Sequence, residues 1–400
     1  MRAVLIRSAV AMALVLICLP VQAGTTLSQA LDKAWERAVQ ARVAESRITG
    51  AEASRQVADS WFAAPPSLGL SETSDRFDSG LGSRERELEL ALPIWIPGQR
   101  RAGAEFARSD SVHAKAGLTA ERWILAGQLR DSVWELAMAQ AAQNIARERL
   151  EAARQLESDV GRRHSAGELA RTDLLLSREQ ALLAEQYLQE AGLVEQRALA
   201  RLRRLTGLDS LPDSIVEPVS AAEAEEHPRL VLAKASVDMA RTALQVSIED
   251  RRDPPELTLA LVRTRDDYVA PSRDSVKLGV RVPFGADVRN ASRLAEANAR
   301  LIQAEAELRQ ATVEVESERQ EAFNALASAE VALSAAASRA ALAGERLALE
   351  KKAFSLGELD LAEFIRVRAS ASEARLDLVR AENSLNAARA RLNQSKGILP

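Results

Sequence analysis

The spacing of apolar positions changes twice in the first half of the chain, and the same two changes recur in the second half. From Thr26 to Asp59, Leu27, Leu31, Ala34, Trp35 and Ala38 recur at helical spacing, with Thr26 or Ser28 placed to cap the segment and Pro65-Pro66 beyond its end. The period then falls to two. Leu68 and Leu70 alternate with Gly69 and Ser71, and Leu88, Leu90 and Leu92 alternate with Glu87, Glu89 and Ala91. This predicts two strands, at about 66–73 and 85–93, each with one apolar face. After Pro93 the helical period returns and runs from Gly98 to Val160, a length of roughly 95 Å at 1.5 Å per residue. A partner helix, Thr172 to Thr206, follows.

The second half repeats the order. His227 to Arg251 reads as a helix ended by Pro254-Pro255. Strands are predicted at about 256–263 and 275–283, followed by long helices from Asn290 to Phe354 and from Asp360 to Lys396. Two motifs fix the repeat. The segments His164–Leu176 and Phe354–Arg366 share Ser-x-Gly-Glu-Leu followed by an acidic residue, at an offset of 190 residues (355 − 165), and Leu92-Pro93 and Val282-Pro283 keep that offset. The expected organisation is a leader at 1–23, a first repeat at 24–207, a linker at 208–226 and a second repeat at 227–400.

Each Ser-x-Gly-Glu-Leu motif lies between two long helices. A glycine there can take the left-handed conformation that ends one helix, and the following acid sits in the first turn of the next, where the macrodipole favours it. Both motifs are therefore expected to be tight αα-hairpin tips. The four strands pose a separate problem. Leu88, Leu90, Leu278 and Val280 share the apolar parity, and Glu87, Glu89, Lys277 and Arg281 the charged one. Four strands do not close a barrel, but strands pooled from several subunits do, with the apolar face toward lipid and the charged face toward water.

Composition sharpens this picture. Apolar residues make up 47% of the chain but aromatics only 4%, so the hydrophobic content is mostly alanine and leucine, as long packed helices require. A net charge of −4 leaves no nucleic-acid footprint. Arg2 and Arg7, the apolar run Ala9–Leu19 and Val21-Gln22-Ala23 form a secretory leader, and the only cysteine, Cys18, falls inside it. His113, His164 and His227 are far apart, no phosphate-binding glycine loop occurs, and no nucleophile–base pair can be assembled. Neither catalysis nor a cofactor or metal site is expected.

A leader followed by helix–strand–strand–long helix–tip–helix, twice over, resembles the TolC family of outer-membrane efflux proteins across essentially the whole mature chain. The residues that carry the resemblance are Pro93–Arg100, Pro283–Arg289 and the two tips, and the short linker is most similar to the heavy-metal, CzcC-like branch. The resemblance implies a mainly helical homotrimer with a twelve-stranded β-barrel in outer-membrane lipid and a long helical tunnel in the periplasm. It also implies work as a passive exit duct with a periplasmic adaptor and an inner-membrane pump. Adaptor docking would fall to Ser165, Gly167, Glu168, Leu169, Ser355, Gly357, Glu358 and Leu359. The tunnel entrance would involve Asp173, Glu363 and Arg366, the arginine standing where a second acid would be expected. The alternatives are the outer-membrane component of a type I protein-secretion system, or a periplasmic coiled-coil scaffold with no pore. The alternating strands argue against the scaffold, which has no use for an apolar strand face.

Overall fold

The computed structural model describes residues 25–78, 80–221, 226–284 and 287–400, so the expected leader lies outside the described residues. Helix α1 (Leu27–Arg37) opens on a capping box. The Gln29 amide donates to the Thr26 hydroxyl at 3.2 Å, and the Thr26 amide donates to Gln29 Oε1 at 3.0 Å. The single helix expected from Thr26 to Asp59 is in fact two. Ala38 is extended (φ −69°, ψ 131°) and separates α1 from α2 (Val39–Ala58). The two parts bury different stripes. Helix α1 sends Leu27 and Leu31 into a core of large side chains, whereas α2 buries only Ala41, Ala44, Ala51 and Ala58. The break lets each part turn its own stripe inward.

Strands β1 (Ser67–Ser74), β2 (Arg84–Pro93), β3 (Glu256–Arg265) and β4 (Arg273–Arg281) form one antiparallel sheet in that order. Their bounds fall within two residues of those expected. The sheet joins the two repeats, because β2 of the first pairs with β3 of the second along its whole length. The register places Leu68, Leu90, Leu259 and Leu278 in one row and Leu70, Leu88, Leu261 and Val276 in the next. Leu92, Leu257 and Val280 continue the band. This face is bare: Leu70, Leu278 and Val280 are 80, 71 and 68% exposed. The opposite face carries Glu85, Glu87, Glu89 and Lys277 together with buried Ala91, Ala260 and Val262. There the Lys277 ammonium reaches across the small side chains of β3 to Glu87 at 3.1 Å. Among the described residues β1 and β4 have no strand beyond them.

Below the sheet the chain is helical. Helix α3 (Gln99–Ser165) has 67 residues and spans roughly 100 Å. It is paired by the antiparallel α4 (Arg171–Thr206), and α6 (Asp287–Leu356, 70 residues) is paired by α7 (Leu361–Ser395). Helices α2 and α5 (Pro228–Glu249) pack along the sheet-proximal lengths of α3 and α6. Helix α3 also touches α5 and α7 and so holds the repeats together. The contacts are small: Ala102, Ala107, Ala114, Ala116 and Ala120 are all buried on α3. Helix α6 is different. Val313, Phe323, Val331, Leu342 and Leu349 stand at least 59% exposed along it.

The largest side chains gather halfway down. Leu31, Leu129, Val133, Leu136 and Leu202 are fully buried, with Leu208, Leu211 and Ile215 of the linker packed against them. Next to this core lies Arg130, 2% exposed, whose guanidinium grips Glu217 at 2.8 and 2.6 Å, donates to the Ile398 carbonyl at 3.0 Å and reaches Gln394. One cation thus ties α3 to the linker and to the C-terminus. Removing it leaves the half-buried Glu217 without its counter-charge. Arg130→Ala is expected to destabilise the protomer by about 3–5 kcal/mol, measured as the shift in the unfolding midpoint, while Arg391→Ala at an exposed ion pair moves it by less than about 1 kcal/mol.

Candidate functional site

The far ends of the long helices carry the two tips, and they match residue for residue. In the first, the Glu168 amide donates to the Arg163 carbonyl at 2.9 Å and the Gly167 amide to the His164 carbonyl at 2.9 Å. In the second, Glu358 donates to Ala353 at 3.0 Å and Gly357 to Phe354 at 3.2 Å. Both are Schellman closures, and both place glycine in the left-handed region, with φ +81° at Gly167 and +79° at Gly357. Each chain then re-enters a helix with its acid in the first turn: Asp173 in α4 and Glu363 in α7.

The tips meet in one cluster. Leu156 and Val160 of α3 pack with Leu361, Phe364 and Ile365 of α7, and Leu169 and Leu359 close over them. Of the residues expected to dock a partner, Ser165, Gly167, Glu168, Ser355, Gly357 and Glu358 are exposed, whereas Leu169 and Leu359 are half-buried in this shared core. The acids also divide. Asp173 accepts the Ala170 amide at 3.1 Å and so acts as a helix cap. Glu363 pairs with Arg366 at 2.6 Å and faces Arg346 of α6 at 3.5 Å. Arg366 thus balances the acid on its own helix, three residues away.

Four further residues complete the arrangement. Arg163 holds Glu168 at 3.1 Å, donates to the Phe354 carbonyl at 3.4 Å and lies 5.4 Å from the Phe354 ring centre, pinning the first tip to the second. Phe354 and Phe364 stack at 4.8 Å, nearly parallel. Arg368 of α7 donates to the Ala152 carbonyl of α3 at 2.7 Å, and burial, with Arg149 nearby, pushes its pKa down from the usual guanidinium value. Arg149, Phe354, Phe364 and Arg368 all line a groove of about 650 Å³ between α3 and the second hairpin. Sequence reasoning did not single out these four residues, although two of only seven phenylalanines in the chain flank one tip.

Among the described residues no group of His, Cys, Asp and Glu is arranged to hold a metal, and no helix is long and apolar enough to cross a membrane. The latter says nothing about the sheet. The geometry is that of a scaffold with two ends, a sheet bare on its apolar side and a pair of small, hinged tips.

The fold is that of solved outer-membrane channels, the fold that the resemblance implied. It superposes on the outer-membrane protein VceC of Vibrio cholerae with a TM-score of 0.73, at 17% identity, covering 93% of this chain and 96% of that one. The CmeC outer-membrane channel of Campylobacter jejuni gives a TM-score of 0.74 at 14% identity, covering 94 and 89%. In sequence the chain is 27% identical to the cobalt-zinc-cadmium resistance protein CzcC of Cupriavidus metallidurans over 232 residues, 55% of this chain. That match spans about half the length of the relative, 54%. No protein-family model matches the chain.

Both tip glycines have open space around the position of a Cβ, so a substitution there meets only backbone strain. Gly167→Val and Gly357→Val are each expected to weaken the local closure by about 1–2 kcal/mol, seen as faster amide exchange at Glu168 and Glu358. Asparagine at the same positions restores most of the protection.

Proposed function

We propose that this protein is the outer-membrane exit duct of a tripartite efflux system, a passive conduit for substrates delivered by an inner-membrane pump through a periplasmic adaptor. The observation that carries the reading is the sheet: four strands, two open edges and a continuous leucine face, set on helices roughly 100 Å long. Open edges and a bare apolar face are costly in water and favourable in lipid once the edges pair. Three copies supply twelve strands, close the barrel and turn the charged face to the lumen. Their helices extend it as a tunnel across the periplasm. The exposed apolar residues of α6, Val313, Val331 and Leu342 among them, then pack against a neighbouring copy.

The tips are the adaptor-facing end and the gate. Ser165, Gly167, Glu168, Ser355, Gly357 and Glu358 present polar, glycine-hinged loops to the adaptor, while Leu169 and Leu359 set the distance between them. Opening swings the second hairpin away from α3, and the contacts that resist it are those of Arg163 with Phe354 and of Arg368 with Ala152. The likeness to CzcC makes divalent transition-metal cations the first cargo to test.

Deletion of the gene is expected to sensitise the cell to zinc, cobalt or cadmium, and the wild-type gene to restore resistance. Full resistance in the deletion strain to metals, and to other exported toxicants, would refute the duct. In the barrel, Leu90→Arg should lower trimer stability by about 2–4 kcal/mol, whereas Glu89→Arg on the opposite face is tolerated. Equal tolerance would reverse the face assignment.

At the gate, Arg368→Ala removes a buried tether from α7 to α3, and the expected result in planar bilayers is a higher resting single-channel conductance with barrel and trimer intact. Glu363→Ala, which frees Arg366 and leaves Arg346 only Glu350, should make the channel less permeable to cations. Unchanged conductance in both variants would assign these residues to tip stability alone.

A further inference from the structure

The outward parity of the sheet does not stay apolar to its end. Beyond the row Leu70, Leu88, Leu261 and Val276, toward the hairpin loops, the same face carries Glu72, Arg86, Arg263 and Asp274. The row after that holds Ser74, Arg84 and Arg265. Arg84 and Arg86 share Glu72, each at 3.1 Å, and Arg263 grips Asp274 through two bonds of 2.7 and 2.8 Å. Arg265 has no carboxylate within ion-pair distance among the described residues. It lies over the Tyr268 ring at 5.6 Å and reaches the Gly82 carbonyl at 3.5 Å. Four guanidiniums therefore face two carboxylates on a strip that is otherwise leucine and valine.

Position along the strand decides what this strip meets. From the level of Ile94 and Val282 to the row of Leu70 and Leu88 is six residues, roughly 20 Å of strand. An outer-membrane barrel presents an apolar band about 25 Å tall. The arginine rows begin about 7 Å further on, where hydrocarbon gives way to headgroups. A guanidinium has five N–H donors in a planar fork, so an arginine held by a carboxylate on one edge keeps its other edge free for a second oxyanion. At Arg84, Arg86 and Arg263 the carboxylates occupy part of each fork and so compete with an incoming oxyanion for the same donors.

We propose that Arg84, Arg86, Arg263 and Arg265 form a phosphate-binding girdle for lipid headgroups at the outer rim of the barrel. The occupant is a phosphorylated lipid rather than a free anion, because the girdle is continuous with the leucine band that would hold the acyl chains. The proposal rests on the reading of the sheet as a barrel segment.

The test uses the full-length trimer in detergent, with lipid A, enzymatically dephosphorylated lipid A and inorganic phosphate as separate probes. Bound lipid is counted by native mass spectrometry, and trimer dissociation is followed on heating. Lipid A should bind and raise the dissociation midpoint, and the dephosphorylated lipid and inorganic phosphate should do neither. The double variant Arg86→Gln, Arg263→Gln should bind lipid A about tenfold more weakly. Glu72→Gln with Asp274→Asn, which leaves every arginine in place, should bind at least as tightly as wild type, and this arm stands even if the first variant misassembles. Equal binding of the dephosphorylated lipid, stabilisation by phosphate alone, or weaker binding in the acid-free variant would each overturn the girdle. Failure of the wild-type protein to form a trimer with β-structure would instead overturn the barrel on which it rests.

Discussion

A backbone strand edge is a row of donors and acceptors that must be paired or wetted, and this chain ends its sheet on two of them. Strands β1 and β4 expose edges while Leu68, Leu70, Leu278 and Val280 cover one face with hydrocarbon. Water could satisfy the edges but not the face. Lipid would suit the face but leave the edges unpaired, and the proposed closure with further copies would satisfy both. Much of the remaining structure serves that demand. The preceding helices end at Asp59 and Asp250, and the Pro65-Pro66 and Pro254-Pro255 pairs then lead the chain into β1 and β3. The Ile94 amide, just past β2, donates to the Pro255 carbonyl at 2.7 Å and locks the two repeats together at the sheet's base. Lys277 and Glu87, equivalent positions in the two repeats, bond to each other on the charged face.

The helices meet a different constraint, that of length without bulk. Alanine on α2 and α3 brings backbones close over a long distance, and the two largest groups of bulky side chains lie in the midpoint core around Leu129 and the tip cluster around Phe364. Between them the packing is light. The lighter stretch between the two clusters suits a hinge, because moving it exposes little apolar surface. Each tip adds a glycine that closes its reversal with open space where a Cβ would stand.

How much of this the sequence discloses depends on the range of the forces involved. The strands, the long helices and both tips were legible because they rest on local rules: period two, period 3.6, and a glycine before a first-turn acid. Their bounds agree within a few residues. The break at Ala38 was not legible, because nothing between Trp35 and Val39 disfavours a helix and the cause is the change of partner beneath it. The Arg130 network was equally hidden, since its partners lie 87 and more than 260 residues away. At the tips the glycines were found, and Arg366 was recognised as an unexpected cation near Glu363. The clasp of Arg163 on Phe354 was not, because it joins residues of different repeats.

In the proposed duct, the pairing of Glu363 bears on what the tunnel entrance can select. A trimer repeats any lumen-facing carboxylate three times, and an unpaired ring of that kind would draw cations strongly. Here the carboxylate is met by Arg366 on its own helix and Arg346 on the neighbouring one, so charge is nearly balanced before any copies assemble. Asp173, the equivalent acid of the first repeat, is engaged as a cap. An entrance balanced in this way neither concentrates cations nor excludes them by its own field. In the proposed duct, the choice of cargo then falls to the pump and adaptor, and the tips contribute the mechanical step: two matched hairpins held shut by the apolar cluster around Phe364 and by Arg163 and Arg368, which add one cation–π contact and two side-chain hydrogen bonds to backbone carbonyls.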